Sequence, residues 1–269
     1  MRCQLGFIGA GKLAGSVIRG LLLKKFCPPE QIIASQPIDD LRAELATETG
    51  IRVTASNADV VAAADIILIG VKPTVVLPVI RETAAALRDK IVVSLAAGIR
   101  LASMESLADA RFLRVMTNTP SAIGRGATAL APGSRCMDSD IARVTEIFRA
   151  IGVVVRVTDD QIDAVTALAG SGPAFVYTVI EALAAGGVRT GLPSDVALTL
   201  ATQTVLGASQ LAAESNATPE ELRRMVITPG GTTAAGLAAM EKHGTNDGLI
   251  AAVEAAAARG REMSQPAGG

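Results

Sequence analysis

The chain is poor in aromatic residues and in the side chains that usually hold metals. Its 269 residues include no Trp, one Tyr and one His, and aromatic residues make up 2% of the total. So few rings argue against a stacking platform for single-stranded nucleic acid. With His243 as the single histidine, a Ser-His-Asp triad or a histidine-rich metal site would be hard to build. The sequence therefore predicts no metal site.

Strong charge of one sign and long apolar runs are also missing. The formal net charge is -1, which argues against nucleic acid or a membrane surface as the main partner. No unbroken apolar run reaches the ~18 residues of a membrane span, and residues 1–25 carry strand and glycine-turn signals instead of a signal peptide. The cysteines Cys3, Cys27 and Cys136 form no CxxC pair, which fits a reducing compartment. We expect a cytoplasmic protein that binds neither nucleic acid nor membrane.

The apolar residues that are present follow two patterns in succession. Short apolar strands alternate with helical segments as far as Thr158, which is typical of a mostly parallel, doubly wound sheet. Beyond Thr158 the pattern is helical to the end of the chain. The sequence thus predicts an α/β protein, with a Rossmann-type domain over residues 1–158 and an all-α domain over residues 159–269. The uncharged run from Val196 to Leu206 predicts that the second domain buries surface against another subunit.

A dinucleotide fingerprint opens the first domain. The strand Gln4–Ile8 leads into Gly9, Gly11 and Ala14 of a GxGxxA motif, and a helical pattern follows at once. The first glycine permits the tight turn, the second lets a pyrophosphate approach the backbone, and the alanine lets the helix pack closely. The alternative is a glycine-rich turn without a ligand.

The ends of later strands offer further candidates for cofactor binding. Ser35 and Gln36 end the second strand where an NAD-specific site usually carries an acid, so NADP is favoured, although no arginine lies at that turn. Ordinary turn chemistry explains these two residues equally well. Lys72 follows a buried strand at the edge where α/β sheets bind ligands, or is simply solvated. The small Ala96 and Ala97 leave room for a flat ring.

A second candidate site lies far along the chain, at Thr228-Pro-Gly-Gly-Thr-Thr. The residues predict a tight turn that feeds a helix, with Thr232 or Thr233 as the cap. Free N–H groups at a helix start hold anions, and no lysine or arginine lies within the turn. The backbone itself would then hold a small carboxylate or phosphate. The alternative is a capped helix start without a ligand.

Six motifs in this order carry a family resemblance: IGAGKL, GVKP, VVSLAAG, MTNTP, AGSGPAF and TPGGTT. Together they closely resemble pyrroline-5-carboxylate reductase, and the likeness covers essentially the whole chain. The resemblance implies a Rossmann domain and a helical domain that interlocks two subunits, often in a ring of five dimers. It also implies reduction of 1-pyrroline-5-carboxylate to L-proline by NADPH, or less often by NADH.

The resemblance also implies roles for particular residues. The backbone of Gly231, Thr232 and Thr233 would hold the substrate carboxylate, and the Thr233 hydroxyl would contact the ring nitrogen as the catalytic group. The cofactor would be bound by Ile8, Gly9, Ala10, Gly11, Lys12, Leu13, Ser35, Gln36, Asn57, Val71, Lys72, Pro73, Ala96 and Ala97. In this set Ser35 and Gln36 would face the adenosine 2′ position, and Asn57 the adenosine ribose.

Two alternatives to this function are open. One is a dehydrogenase of similar build that acts on a β-hydroxy acid, or a reductase of another imine. Hydroxy-acid enzymes of this build rely on a lysine in the helical domain, and Lys242 is the single lysine between Thr158 and Ala257. The other alternative is a non-catalytic NADP-binding regulator, which would not need the PGGTT turn.

Overall fold

Eight strands form one sheet in the part of the protein that the structure, a computed structural model, describes, which is residues 3–264. The sheet order is β3-β2-β1-β4-β5-β6-β7-β8, and every neighbouring pair is parallel except β6 and β7. The strands are β1 Cys3–Ile8, β2 Ile32–Ser35, β3 Arg52–Thr54, β4 Ala64–Ile69, β5 Ile91–Ser94, β6 Arg111–Met116, β7 Gly126–Pro132 and β8 Gly152–Arg156.

The strand order reverses between β1 and β4, and this reversal positions the site. Ile8 pairs with Ser35 on one side and with Ile69 on the other, and Ile69 pairs with Ser94. Four strands therefore end in register at one edge of the sheet. The residues that follow those strands share that edge, where open α/β sheets bind ligands.

Helices cover both faces of this sheet, because both faces are apolar. Alternate residues of β4 belong to different buried clusters, Ile66 and Leu68 to one, Ile67 and Ile69 to the other. This division confirms the predicted doubly wound architecture. The helices that alternate with the strands are α1 Lys12–Leu23, α2 Asp39–Thr49, α3 Asn57–Ala63, α4 Pro73–Leu87, α5 Leu101–Glu105 and α6 Asp138–Arg149.

Two of these helices begin at residues suited to a helix start. Helix α4 begins at Pro73, since a proline with its fixed φ is suited to the first helical position. Helix α3 begins at Asn57, and the Ser56 side chain caps it by accepting a hydrogen bond of 3.1 Å from the Asp59 amide.

The chain divides into two compact units. The first runs to Pro173 and also includes the chain from Ala256 through the last described residues, and the second is Ala174–Ala255. Residues 159–173 are helical as predicted and belong to the first unit, through α7 Ile162–Val165 and a π-helical turn at Thr166–Gly170. The domain boundary predicted after Thr158 stays a prediction.

Buried ion pairs hold the start of this helical segment to the sheet. Arg114 of β6 is 1% exposed, and its Nη1 lies 2.6 Å from Oδ1 of Asp159. Its Nη2 lies 3.5 Å from Oδ1 of Asp163, which also pairs with Arg100 at 3.2 Å. Opposite charges at these distances, out of water, fix the path of the chain into the π turn.

The second unit is helical and leaves large apolar side chains exposed. It is built from α8 Gly172–Arg189, α9 Ser194–Glu214, α10 Pro219–Met225, α11 Thr232–Lys242 and α12 Thr245–Ser264. The start of α8 and the end of α12 belong to the first unit. Apolar side chains of this number suit burial against a second copy. They are 39–56% exposed, and on α8 and α9 they are Val176, Tyr177, Leu183, Val188, Val196, Leu198, Leu200, Leu206 and Leu211.

Two helical segments pass a length and composition test for a membrane span. They are Asp159–Arg189 and Ser194–Glu214, with mean hydropathies of 1.3 and 1.2 over an 18-residue window. The search for unbroken apolar runs misses them, because Gly, Ser, Thr and Gln interrupt their apolar residues. Core helices of soluble proteins pass the same test, so the absence of a membrane partner stays a prediction.

Candidate functional site

The glycine turn between β1 and α1 has the predicted shape. Gly9 has φ +82°, and a Cβ built there would lie 2.5 Å from Cγ1 of Val71. At Gly11 the nearest atom to such a Cβ is the Gly70 carbonyl oxygen, 4.0 Å away, so this position is open. A Cβ at Gly70 would lie 2.6 Å from the Cβ of Ala14, so the helix does pack closely, as predicted.

The space at Gly11 is suited to the pyrophosphate of a dinucleotide. Gly11 is the N-cap of α1, and the first turn of that helix carries no acidic residue. A pyrophosphate needs an accessible backbone and a helix N-terminus, and Gly11 provides both. The residues of this turn therefore fit the cofactor that the sequence predicts.

Ser35 links this turn to Asn57. The Gly9 amide donates to Oγ of Ser35 at 3.1 Å, and the same hydroxyl donates to Oδ1 of Asn57 at 2.8 Å. Ser35 is 2% exposed. Three predicted cofactor residues from three different segments thus form one hydrogen-bonded chain. The end of β1, the buried Ile8, lies beside Ser35 in the sheet register.

A cavity of about 420 Å³ lies at the same edge of the sheet. Six of the predicted cofactor residues line it, namely Lys12, Leu13, Val71, Pro73, Ala96 and Ala97. The other lining residues are Gly70, Leu95, Met116, Thr117, Asn118, Thr119, Thr166, Gly170 and Ser171. The predicted small-residue floor for a flat ring is therefore part of a real cavity. Lys72 is the N-cap of α4 and exposed, and it is not among the residues around this cavity.

Asn118 joins two walls of the cavity. Its Nδ2 donates to the carbonyl oxygen of Ala169 at 3.1 Å, and its Oδ1 accepts from the amide of Ala127 at 3.0 Å. The first bond reaches the π turn and the second reaches β7. The buried Asn118 side chain therefore holds Gly170 and Ser171 in place against the end of β6.

The residue after β2 faces a second cavity. Gln36 lines a space of about 320 Å³ together with Ala10, Gly11 and Lys12 of the glycine turn. A guanidinium also lies at this turn, because Nη1 of Arg42 donates to the Gln36 carbonyl oxygen at 2.8 Å. The sequence prediction placed no arginine here. Arg42 lies six residues further on, within α2, and returns to the turn by this bond.

A larger cavity of about 540 Å³ shares Arg19 and Glu48 with this space but is not lined by Gln36 or by the glycine turn. Arg19, Lys25, Cys27 and Glu48 are among the residues that line it. Arg19 and Glu48 pair within it at 2.5 Å, and this hydrogen bond lowers the pKa of the Glu48 carboxyl. None of its lining residues follows the end of β1, β4 or β5, where a cofactor would bind, so size alone does not identify the site.

The TPGGTT turn forms the start of α11 in the helical unit. Gly230 has φ +70°, and a Cβ at Gly231 would lie 2.2 Å from Oγ1 of Thr228. The N-cap is Gly231, so the prediction that Thr232 or Thr233 caps the helix is wrong. Both threonines lie inside the first turn, because the extended Gly231 already closes the first helical bond, from Ala235, at 3.2 Å.

This helix start suits a small anion. A glycine cap has no side chain to satisfy the first amides, and the first turn carries no acidic residue. The Gly231 amide already donates to the Thr228 carbonyl oxygen at 2.9 Å, so the successive amides that this helix start offers to one ligand are those of Thr232 and Thr233. Within residues 3–264, no group of three or more His, Cys, Asp or Glu could hold a metal ion.

Sequence reasoning missed part of the cavity wall. The motifs MTNTP and AGSGPAF contain Met116 to Thr119 and Gly170 to Ser171, yet no role was predicted for them. Their signal was present, since each contains several small or hydroxyl residues next to a strand or helix end. Arg42 had no such signal, because a helix-borne arginine is ordinary on a surface.

Known proteins match the chain over nearly its whole length. The family model "Pyrroline-5-carboxylate reductase dimerisation" matches residues 159–263, and "NADP oxidoreductase coenzyme F420-dependent" matches residues 4–98. A curated pyrroline-5-carboxylate reductase of Pisum sativum is 44% identical, over 97% of this chain and 96% of its own. The pyrroline-5-carboxylate reductase structure from Coxiella burnetii is 31% identical with a TM-score of 0.89, over 99% and 100% of the two chains. The Plasmodium falciparum pyrroline carboxylate reductase structure with NADP bound is 27% identical with a TM-score of 0.89, over 98% of each chain.

Proposed function

Because this chain belongs to the pyrroline-5-carboxylate reductase family, we propose NADPH as the physiological reductant of the reaction that it catalyses. It is an oxidoreductase of proline biosynthesis that reduces 1-pyrroline-5-carboxylate to L-proline. The observation that carries the proposal is the end of β2, where Ser35 and Gln36 place no carboxylate against a 2′-phosphate. The glycine turn, open at Gly11, and the cavity lined by Ala96 and Ala97 lie at the same edge of the sheet. A dinucleotide fits the turn, and a flat ring fits the cavity.

The chemistry asks little of the protein in acid and base groups. When bound, the cofactor supplies a hydride to the imine carbon, and the chain positions the two reactants. A protonated cyclic imine is already electrophilic, so neither a nucleophile nor a metal is needed. This agrees with a cavity whose described lining residues include no histidine, cysteine or carboxylic acid.

The residues of the α11 turn act on the substrate. The backbone at Gly231, Thr232 and Thr233 holds its carboxylate, with the Thr232 and Thr233 amides as the donors, and this fixes the orientation of the ring. The hydroxyl of Thr233 donates a hydrogen bond to the lone pair of the neutral ring nitrogen and relays to it the proton that makes the imine electrophilic. In this role Thr233 is the catalytic residue, although it is a weaker acid than a carboxylic acid would be.

The remaining cofactor contacts follow from the strand ends. Ile8 to Leu13 hold the pyrophosphate, Asn57 faces the adenosine ribose, and Ser35 and Gln36 line the region of the 2′ position. Val71, Lys72 and Pro73, with Ala96 and Ala97, surround the second ribose and the nicotinamide. The hydrogen bonds from Gly9 through Ser35 to Asn57 support this assignment, because they hold three of these segments in one arrangement.

The family and the exposed apolar helices support an oligomer. The dimerisation model covers residues 159–263, which include α8 and α9 with their exposed leucines. We propose a homodimer built through these helices, assembled further into a ring of five dimers. We also propose a cytoplasmic enzyme without a nucleic acid or membrane partner.

A β-hydroxy acid dehydrogenase is not favoured. Lys242 is the single lysine between Thr158 and Ala257, and it lies exposed in the last turn of α11. An exposed lysine at a helix end is solvated and does not serve as a buried proton donor.

The experiment that tests the proposal is loss of NADPH absorbance when 1-pyrroline-5-carboxylate is added, with NADH in parallel. Oxidation of NADPH at a higher kcat/KM than NADH is expected. A higher kcat/KM with NADH would reject NADPH as the reductant. Binding of NADPH without any oxidation would favour the non-catalytic regulator.

A further inference from the structure

The residues that the family resemblance places at the adenosine 2′ position carry no positive charge. Ser35 has one hydroxyl proton, and it is donated to Asn57. Its oxygen already accepts from the Gly9 amide. The side-chain oxygen of Gln36 accepts from the Ile38 amide at 3.3 Å. A doubly charged 2′-phosphate would gain little from an occupied hydroxyl and one neutral side-chain amide, so selection of NADPH needs a positively charged residue.

Arg42 is held at the same turn. Its Nη1 donates to the Gln36 carbonyl oxygen at 2.8 Å, and its Nη2 lies 2.7 Å from Oδ1 of Asp39. The side chain is 23% exposed, so its stem is packed while its head reaches the surface. These two bonds use two of the five N–H groups of a guanidinium. The head is thus fixed beside Gln36 before any ligand arrives.

We propose that Arg42 binds the 2′-phosphate of NADPH and is the residue that makes this chain prefer NADPH to NADH. The proposal rests on the nicotinamide cofactor of the proposed function. A guanidinium presents several donors in one plane, which matches the oxygens of a phosphate. An arginine near the end of the second strand is a general solution for a 2′-phosphate in Rossmann folds. Here that arginine comes from inside a helix.

Asp39 is the competitor for this guanidinium. It is 86% exposed, and an ion pair so open to solvent contributes little. A phosphate dianion can therefore take its place on Arg42. Asp39 also limits the affinity for a 2′-phosphate, since its negative charge lies next to the incoming phosphate and repels it. Removing that charge should strengthen binding of a 2′-phosphate and leave a cofactor with a free 2′-hydroxyl nearly unaffected.

Arg19 is the other guanidinium near this turn and provides the matched control. It lines the cavity of about 320 Å³ with Gln36, but its Nε and Nη2 are bound to the two carboxylate oxygens of Glu48 at 2.5 and 2.6 Å. A bidentate pair holds its guanidinium away from a ligand. The same Arg→Met change at position 19 therefore removes an equal charge without removing the proposed receptor.

The experiment measures binding by calorimetry to the full-length protein, with 2′,5′-ADP and 5′-AMP as probes. The probes share the adenosine and differ in the 2′-phosphate. Arg42→Met should lower the affinity for 2′,5′-ADP by tenfold or more and change the affinity for 5′-AMP by less than twofold. Arg19→Met should change neither affinity by more than twofold. Asp39→Asn should tighten 2′,5′-ADP by twofold or more, and this readout stands even if Arg42→Met does not fold.

Several outcomes would overturn the proposal. Equal loss of binding of both probes in Arg42→Met would give the residue a structural role. Loss of 2′,5′-ADP binding in Arg19→Met instead would place the phosphate at Arg19, in the cavity that Arg19 and Gln36 line together. Weaker 2′,5′-ADP binding in Asp39→Asn would also contradict it. Wild-type binding of NADPH and NADH is measured first, since a wild type that binds neither refutes the proposed function itself. A wild type that binds NADPH, together with an Arg42→Met variant that binds 2′,5′-ADP equally well, refutes only the role of Arg42.

Discussion

The hydroxyl of Ser35 donates a hydrogen bond of 2.8 Å to Oδ1 of Asn57, which lies 22 residues further along the chain. The same oxygen accepts from the Gly9 amide, so one buried atom joins the glycine turn to the start of α3. Ser35 therefore positions two segments of the cofactor site, and its removal should affect every cofactor that uses them.

We predict that Ser35→Ala weakens the binding of NADPH and of NADH by similar factors. The change removes two buried hydrogen bonds and lowers the free energy of unfolding by about 1–3 kcal/mol. Dissociation constants for both cofactors and a urea unfolding curve measure these effects. A loss confined to NADPH would show that the hydroxyl contacts the 2′-phosphate directly.

The two glycines of the turn should respond differently to alanine. At Gly11 an added Cβ meets open space, so Gly11→Ala should keep its melting temperature and lose cofactor binding, since the methyl group fills the approach of the pyrophosphate. At Gly9 the Cβ would clash with Val71 and φ is +82°, so Gly9→Ala should lose stability as well. Thermal melts with and without NADPH separate the two cases. Unchanged NADPH binding in Gly11→Ala would remove the turn from the site.

Arg114 should contribute far more to stability than Arg19, although each pairs with a carboxylate. Arg114 and Asp163 are buried and Asp159 is partly exposed, and Arg114→Met leaves both carboxylates without one of their cations. Breaking a buried pair costs about 3–5 kcal/mol, and an exposed pair about 0–1 kcal/mol. Urea unfolding of Arg114→Met and Arg19→Met measures the difference. Similar losses of unfolding free energy in the two variants would mean that the Arg114 ion pairs do not contribute specially to stability.

The hydroxyl of Thr233 should matter for turnover and not for folding. Thr233→Ala should lower kcat by about tenfold or more, somewhat less than loss of a strong general acid, since water can replace the donor. Thr233→Ser keeps the hydroxyl and should retain most of the activity, which separates the proton donor from the methyl group. An unaltered kcat in Thr233→Ala excludes the hydroxyl from the mechanism.

The described thiols should be slow to react near neutral pH. Burial raises the pKa of Cys27 and the pKa of Cys136, so each has less thiolate at a given pH in the folded chain. In a Cys3→Ser background, alkylation by iodoacetamide should rise with a midpoint above about 8.5, the ordinary thiol pKa. The urea-unfolded protein should react with a midpoint near that value. Equal rates for folded and unfolded protein would contradict the burial of both thiols.

Much of the fold could be predicted from the sequence, because the strands are short apolar runs and the helices between them are amphipathic. The shape of the glycine turn follows from backbone rules that act over a few residues. The anion site at the α11 turn was likewise predicted from its residues, and the family resemblance added the substrate and the role of Thr233. The cap of α11 was predicted wrongly, since a glycine in extended conformation can precede a helix as well as a threonine can.

Contacts between distant segments could not be predicted from local patterns. The bond from Asn118 to the Ala169 carbonyl spans 51 residues, and it depends on the packing of the π turn against β6. Arg42 was missed for a related reason. Its neighbours in sequence are an ordinary exposed helix, and only the path of α2 returns its guanidinium to Gln36.

The measurement that tests the central claim most directly follows the hydride itself. The protein is supplied with 1-pyrroline-5-carboxylate and with NADPH deuterated at nicotinamide C4, on one face in each of two parallel reactions. The account predicts that proline from one of the two reactions carries one deuterium at ring C5, as seen by mass spectrometry and NMR. Unlabelled proline from both reactions, or no proline while NADPH is bound, would contradict hydride transfer to the cyclic imine.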